Sequence, residues 1–188
     1  MGSDPQVVVY DACVLYPFHL RNLLIELAVH GVVAARWTDA IHDEWIRNLA
    51  TTRSIPHARL VTTRDLMKAV LPDADIRDWE RHEGRLMLPD ANDRHVLAAA
   101  IAARASMILT RNVRHFPASA LAIHHVVALD PDSFLADLYD QNPETLAAVV
   151  DAARGNLRRS EPTFEEYAQA LENQGLTTFV SKIRANTK

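Results

Sequence analysis

A single cysteine, Cys13, is all that 188 residues contain. One thiol forms no internal disulfide and supplies no cysteine-based zinc site, so disulfide-stapled secreted scaffolds are excluded. Glycine is scarce as well, at five residues. None of them follows the first strand-like stretch, so a dinucleotide-binding fold would lack its phosphate loop. No apolar run approaches the roughly 18 to 20 residues of a membrane span, and the N-terminus has no signal-peptide pattern. The expected setting is the cytoplasm, away from membranes. Met1-Gly2-Ser3 reads as a cloning scar. The formal net charge of −4 argues against wholesale polyanion binding, yet it leaves room for a basic surface over an acidic pocket. Of the 20 basic residues 17 are arginine, the side chain suited to bidentate phosphate contact.

What is present is a soluble globular composition, 48% hydrophobic and 23% charged. The length suits one well-formed core with a small appendage. Residues 6–10 are β-branched and bounded by Pro5 and Asp11, which predicts a buried strand. Residues 19–30 place Leu20, Leu23, Leu24 and Leu27 on one helical face, and Gly31 stops that helix. A second strand is predicted over 32–37. It is followed by a helix capped by Thr38 or Asp39, with Ile41, Trp45 and Leu49 in one stripe. Further helices are expected over 55–70 and 88–105, and strands over 107–110 and 123–129. Strands alternating with helices predict a mostly parallel sheet covered on both faces. Beyond Pro131 the pattern is helix after helix, with Asn142-Pro143 as a start signal, Gly155 as a stop and Thr163 to Glu166 as a capping box. The chain therefore divides into an α/β domain over 1–130 and a helical extension over 131–188.

Aspartate in "VVVYDACVLYP" raises the functional question. Ligand crevices of open parallel sheets lie beyond the carboxyl ends of the strands, which is where Asp11 and the run Thr110, Arg111, Asn112 fall. Asp93 is expected on the apolar face of its helix with Val96, Leu97 and Ala100, and Glu44 at the border of a stripe beside Ile41 and Asn48. Three half-buried carboxylates aimed at one rim repel one another unless a cation neutralises them. Oxygen donors without a cysteine or a histidine pair suit Mg²⁺ or Mn²⁺, and the layout matches metal-assisted phosphodiester hydrolysis. Blander readings stand beside these. Asp90 reads as an N-cap, Asp93 alone could serve the helix dipole, and Glu44 shares an acid-rich helix with Asp43. His95 and His115 read as surface or packing residues, Cys13 as core, and Arg21 and Arg47 equally well as solvated charges. A phosphotransferase using Asp11 as nucleophile would want an acid where Cys13 stands.

The segments "VVVYDACVLYP", "HDEWIRNL", "PDANDRHVLAAAIA" and "ILTRNVRHFP" resemble the successive signatures of the PIN-domain family, in particular the VapC-type ribonuclease toxins of bacterial toxin–antitoxin pairs. The resemblance runs from about residue 6 to 130, and "TFEEYAQALENQGL" is similar to a C-terminal helical extension of one subgroup. It implies a three-layer α/β/α PIN-like domain with a central parallel sheet of four to five strands. It also implies an acidic Mg²⁺ or Mn²⁺ site that hydrolyses RNA, a cognate antitoxin as partner, and room for a homodimer. Carried over by position, Asp11, Glu44 and Asp93 are the metal-binding acids. Asn112 stands where many members have a fourth acid, and Asp90 is the nearby acid able to compensate. Thr110 becomes a hydrogen-bond support for a ligand carboxylate. From their place near the rim, Arg111 first and then Arg114 and Arg94 are the expected contacts to flanking phosphates. The amide at Asn112 keeps a second reading open, a catalytically impaired PIN-like module that binds RNA or a partner protein.

Overall fold

Strand β1 (Gln6–Tyr10) is completely enclosed at Val8, Val9 and Tyr10, because it is central in a four-stranded, all-parallel sheet of order β2-β1-β3-β4. The computed structural model describes residues 4–186, so Met1-Gly2-Ser3 and the last two residues of the expected extension lie outside the described residues. After β1 come the single turn α1 (Ala12–Leu15), α2 (Phe18–Val29), β2 (Val33–Arg36), α3 (Asp39–Arg53), α4 (His57–Val70) and α5 (Glu80–Glu83). They are followed by α6 (Arg94–Ala102), β3 (Met107–Leu109), α7 (Ala118–Leu121) and β4 (Val127–Leu129). Four helices complete the chain: α8 (Pro131–Gln141), α9 (Pro143–Gly155), α10 (Phe164–Glu172) and α11 (Thr177–Ala185). The protein is an α/β fold with a parallel central sheet flanked by helices and a helical C-terminal segment.

The strand order decides where a site can form. From β1 the chain moves to β2 on one side, then returns past β1 to β3 on the other. Right-handed crossovers in opposite directions send their helices to opposite faces and leave a crevice between the two diverging strand ends. Those ends are Tyr10 and Leu109, which pair in register. On one side α2 buries Leu20, Leu23, Leu24 and Leu27, each worth about 1.5–3 kcal/mol relative to exposure. Helix α6 approaches β1 and β3 through Ala98, Ala99 and Ala100, all fully buried, whose small side chains allow close contact.

Two elements differ from the sequence expectation for local reasons. The helix expected over 88–105 begins regularly only at Arg94. The Asp90 carboxylate accepts from the Asn92 amide at 2.9 Å and caps a 3₁₀ turn, Ala91–Asp93. Asp93 is consequently the N-cap of α6 rather than a member of its first turn. The strand expected over 123–129 shrinks to 127–129, because Ala122–His124 form a 3₁₀ turn closed by His125 in the left-handed region at φ 56°.

Arg21 and His42 are polar groups taken into the core. Arg21 is 8% exposed; its Nη1 donates to the Leu15 carbonyl at 2.5 Å and its guanidinium lies 4.9 Å from the Trp45 ring centroid. The reading of Arg21 as a solvated charge is therefore corrected: it closes the C-terminal carbonyls of α1, and burial pushes its pKa down to about 10. His42 accepts from Trp45 Nε1 through Nδ1 at 2.9 Å and is fully enclosed. Burial first, and the Lys68 charge second, push its pKa down to about 4. The unfolded chain takes up this proton near pH 6.5 and the folded one does not. Stability present in full above about pH 6.5 is therefore lost as the pH falls toward 4, by up to about 3 kcal/mol. His42→Gln keeps an acceptor for Trp45 and should flatten the fall in Tm between pH 6.5 and 4, as followed by circular dichroism.

Candidate functional site

At the switch point the Asp11 amide donates to the Leu109 carbonyl at 3.1 Å, which carries the β1–β3 ladder one residue past the strand. The backbone then turns, and the Asp11 carbonyl accepts from Val14 and Leu15 to start α1. Its side chain does not cap that helix. It faces the neighbouring strand end, where Oδ2 accepts from Thr110 Oγ1 at 2.6 Å and from Cys13 Sγ at 3.0 Å.

Each of these donors is itself held. Thr110 Oγ1 accepts from the Asn112 amide at 3.0 Å, and Cys13 Sγ accepts from the Arg111 amide at 3.1 Å. A hydroxyl or thiol that accepts from one side is oriented to donate on the other, so two short relays fix the Asp11 carboxylate. Asp11 is only 2% exposed. Desolvation raises its pKa, the Thr110 and Cys13 bonds oppose the rise, and the Glu44 charge adds to it. The Cys13 thiol is pushed up to about 12, first by burial and then by the Asp11 charge, so it stays a neutral donor.

An open pocket of about 670 Å³ is lined by residues that include Asp43, Glu44, Asp90, Asp93 and Asn112, with Arg47 among them as a cation; the buried Asp11 is not part of its lining. Helix α3 delivers Glu44, whose Oε2 lies 3.2 Å from His95 Nε2. The His95 ring is held edge-on to Trp79. The start of α6 delivers Asp93, whose Oδ2 lies 2.7 Å from His115 Nδ1. Burial is the main cause that raises the Asp93 pKa, the His115 bond opposes it, and the charges of Asp11 and Asp90 raise it further. Asp11 thus feels Glu44, and Asp93 feels Asp11 and Asp90, across one small region.

Among the described residues the group of potential metal-ligand atoms that lie within 4.8 Å of one another is Asp90, Asp93 and His115; of the three predicted ligands it contains Asp93 and neither Asp11 nor Glu44. His115 belongs to the site geometrically, although its sequence context suggests a surface or packing residue. One Asp90 oxygen caps the Asn92 amide, as expected, and the other lies 3.9 Å from His115 Nδ1. The signal for His115 was its place three residues after Asn112, where a 3₁₀ turn, Val113–His115, swings it back over the pocket. Acids such as Asp11 and Asp93, whose pKa is raised by desolvation and further by neighbouring carboxylates, fit a divalent cation, which would relieve both the desolvation and the repulsion. Of the three arginines considered, Arg114 is exposed on that turn. Arg94 has its Nε enclosed without a hydrogen-bond partner. Arg111 turns away from the pocket, and its Nη2 donates to the Gln174 carbonyl between α10 and α11.

Residues 7–114 match the family described as PIN domain. The chain belongs to the PIN-domain family. Outside that stretch, residues 131–185 match the family described as VapC50 C-terminal domain. Among curated proteins, the chain is similar to "Putative ribonuclease VapC50" of Mycobacterium tuberculosis, 50% identical over 58 residues, which is 31% of this chain and 34% of that protein. The similarity therefore spans about a third of the relative's length. No solved structure matches the chain. In this PIN domain Asp11, Glu44 and Asp93 come from three separate parts of the chain, after β1, within α3 and at the start of α6.

The buried charge at Asp11 has a measurable cost. Its folded pKa lies above the ordinary aspartate value, so stability falls as the pH rises through the interval between them and stays reduced at neutral pH unless a cation binds. Asn at this position removes the charge and still accepts from Thr110. In metal-free buffer at pH 7, Asp11→Asn should raise Tm by roughly 2–6 °C, and the rise in Tm that Mn²⁺ gives the unaltered protein should be absent. Differential scanning calorimetry reads both.

Proposed function

We propose that this PIN-domain chain is a divalent-metal-dependent endoribonuclease and acts as the toxin of a type II toxin–antitoxin pair. The observation that carries the reading is an acidic pocket lined by Glu44, Asp90 and Asp93 close to the buried Asp11, where desolvation first and the charges of neighbouring acids second raise the pKa of Asp11 and Asp93. Membership of the PIN-domain family and the partial similarity to a protein named as a ribonuclease support it. Among the described residues no helix is long and apolar enough to cross a membrane; the cytoplasmic setting proposed here follows from the ribonuclease-toxin reading. The proposed division is a nuclease unit over 1–130 and a helical extension over 131–188.

In this reading Asp11, Asp93 and Glu44 hold Mg²⁺ or Mn²⁺. A bound ion of this kind lowers the pKa of water and offsets charge on a scissile phosphate. The chain's own residues supply the geometry. Thr110 and Cys13 fix the Asp11 carboxylate, His95 and His115 hold Glu44 and Asp93, and Asn112 offers an amide at the pocket wall. Water attack in line with the leaving oxygen breaks the P–O3′ bond and leaves a 5′-phosphate and a 3′-hydroxyl. Arg114 is exposed on the Val113–His115 turn and placed for a flanking phosphate, whereas Arg94, with its partly enclosed guanidinium, is the weaker candidate. The expected partners are RNA and a cognate antitoxin protein, and a homodimer is compatible with this reading.

One observation favours a second reading. Asn112 brings an amide where a fourth carboxylate would stand, which supports a catalytically impaired module that binds RNA or a protein. The two separate cleanly. Under the nuclease reading, Asp11→Asn and Asp93→Asn abolish Mg²⁺- or Mn²⁺-dependent cleavage of RNA, by at least 100-fold on the order expected for lost ion-mediated charge stabilisation, with far-ultraviolet circular dichroism unchanged. Isothermal calorimetry should show ion binding by the unaltered chain and none by Asp11→Asn. Cleavage that persists in purified Asp11→Asn protein overturns the assignment, and absence of both ion binding and cleavage in the unaltered chain supports the second reading.

A further inference from the structure

Beside the acidic pocket lies a larger cleft, about 870 Å³, of opposite character. Arg21, Arg53 and Arg111 line it together with His19, and no aspartate or glutamate does so among the described residues. Arg21 has no carboxylate within 4 Å among the described residues; its charge rests on the Leu15 and Tyr16 carbonyls and on the faces of Trp45 and Phe18. A desolvated cation without a counterion favours an anion delivered from outside. Two aromatic rings, Tyr16 and Phe18, stand in the same wall, and Phe18 is 53% exposed.

The cleft and the acidic pocket adjoin. Along α3, Glu44, Arg47 and Asn48 line the pocket, while Leu49 and Arg53 line the cleft. Asn112 belongs to the pocket and its neighbour Arg111 to the cleft. The Arg111 amide donates to Cys13, which donates to Asp11, so the cleft starts one side chain away from the proposed reacting centre.

Its far wall is made by the helical extension. Asn173, Gln174 and Gly175 form the turn between α10 and α11, and Gln174 holds two parts of the PIN domain at once. Its side-chain oxygen accepts from the Leu20 amide at 2.9 Å near the start of α2, and its carbonyl accepts from the Arg111 guanidinium. Gly175 has φ +84°, and a Cβ there would stand 3.1 Å from Arg111 Nη1. The left-handed turn favours glycine, and a Cβ there would also crowd the arginine. The extension therefore positions Arg111 along the cleft rather than over the carboxylates.

We propose that this cleft, between the α1–α2 turn, the end of α3 and the α10–α11 turn, binds the single-stranded RNA that flanks the scissile bond, with arginines on its phosphates and Phe18 stacked on a base. This assignment rests on the ribonuclease reading and gives the C-terminal helices a role in holding substrate. Cationic grooves with interleaved aromatic rings bind single strands through these two contributions, and only the phosphate contribution depends on salt.

The test uses the full chain carrying Asp11→Asn, to prevent cleavage, and a fluorescein-labelled 12-nucleotide single-stranded RNA followed by fluorescence anisotropy from 50 to 300 mM KCl. Adding Arg53→Ala and Arg111→Ala should weaken binding at least tenfold. It should also reduce the slope of log K against log salt by about 1.4, near 0.7 for each phosphate no longer engaged by an arginine. Arg158→Ala with Arg159→Ala, which removes two exposed charges outside the cleft, should leave affinity and slope close to their starting values. Phe18→Ala should weaken binding about tenfold with the slope unchanged. Affinity and slope that survive the Arg53 and Arg111 changes overturn the cleft while leaving the nuclease reading intact. No RNA binding by the Asp11→Asn chain at any salt overturns both. Competition by polyglutamate of equal charge as effective as by RNA, with no effect of Phe18→Ala, assigns the cleft to an acidic protein and overturns the RNA assignment.

Discussion

A carboxylate held almost out of water at the point where the sheet reverses direction is the constraint on which the rest of the structure depends. Asp11 can stand there because β1 and β3 are neighbours whose ends diverge, and because Thr110 and Cys13 donate to the same oxygen. Those bonds offset only part of the desolvation, so its pKa remains raised. The neighbouring acids then make the region worse for negative charge rather than better. A site that holds charge at such cost is organised for a cation and not for its own stability.

Histidines complete what the acids begin. His95 and His115 each approach one carboxylate, Glu44 and Asp93, and so limit the rotamers of two side chains that reach the pocket from different helices. His115 also groups with Asp90 and Asp93, their potential ligand atoms lying within 4.8 Å of one another. Around an amide at Asn112, an imidazole three residues later provides a donor atom at the same rim, although it brings no negative charge. Soft or borderline divalent ions accept such a nitrogen more readily than Mg²⁺ does.

The helical extension shares one core with the sheet domain. Leu135, Val149, Tyr167 and Val180 belong to the same buried cluster as Leu20 and Leu24. A polar tie reinforces that packing, as Asn22 of α2 donates to the Ala153 carbonyl at 2.6 Å, while within the extension the Asp132 carboxylate of α8 caps the Thr178 and Phe179 amides of α11. A segment fastened to α2 in this way can hold Arg111 in a fixed place. Rigid support of this kind fixes where a charged side chain points.

Periodicity and capping chemistry made most of the elements readable in advance. The leucine face of α2, the Thr38 cap of α3, the Asn142-Pro143 start of α9 and the Thr163–Glu166 capping box are local patterns, and each is found at the expected place. The N-cap expected at Asp90 is present, but it caps a 3₁₀ turn, so the regular helix α6 starts later than expected, at Arg94. Chain order and buried-strand ends also brought Asp11 and Thr110 to one rim on sequence grounds. Sequence alone thus determined the α/β architecture and the acids worth asking about, because hydrophobic period and caps act over a few residues. Only the tertiary structure decided that His115 joins the pocket, that Arg21 is buried on Trp45 and that Arg111 turns to Gln174. Those outcomes depend on which surfaces meet, across a separation of 63 residues in the last case, and no local pattern encodes them.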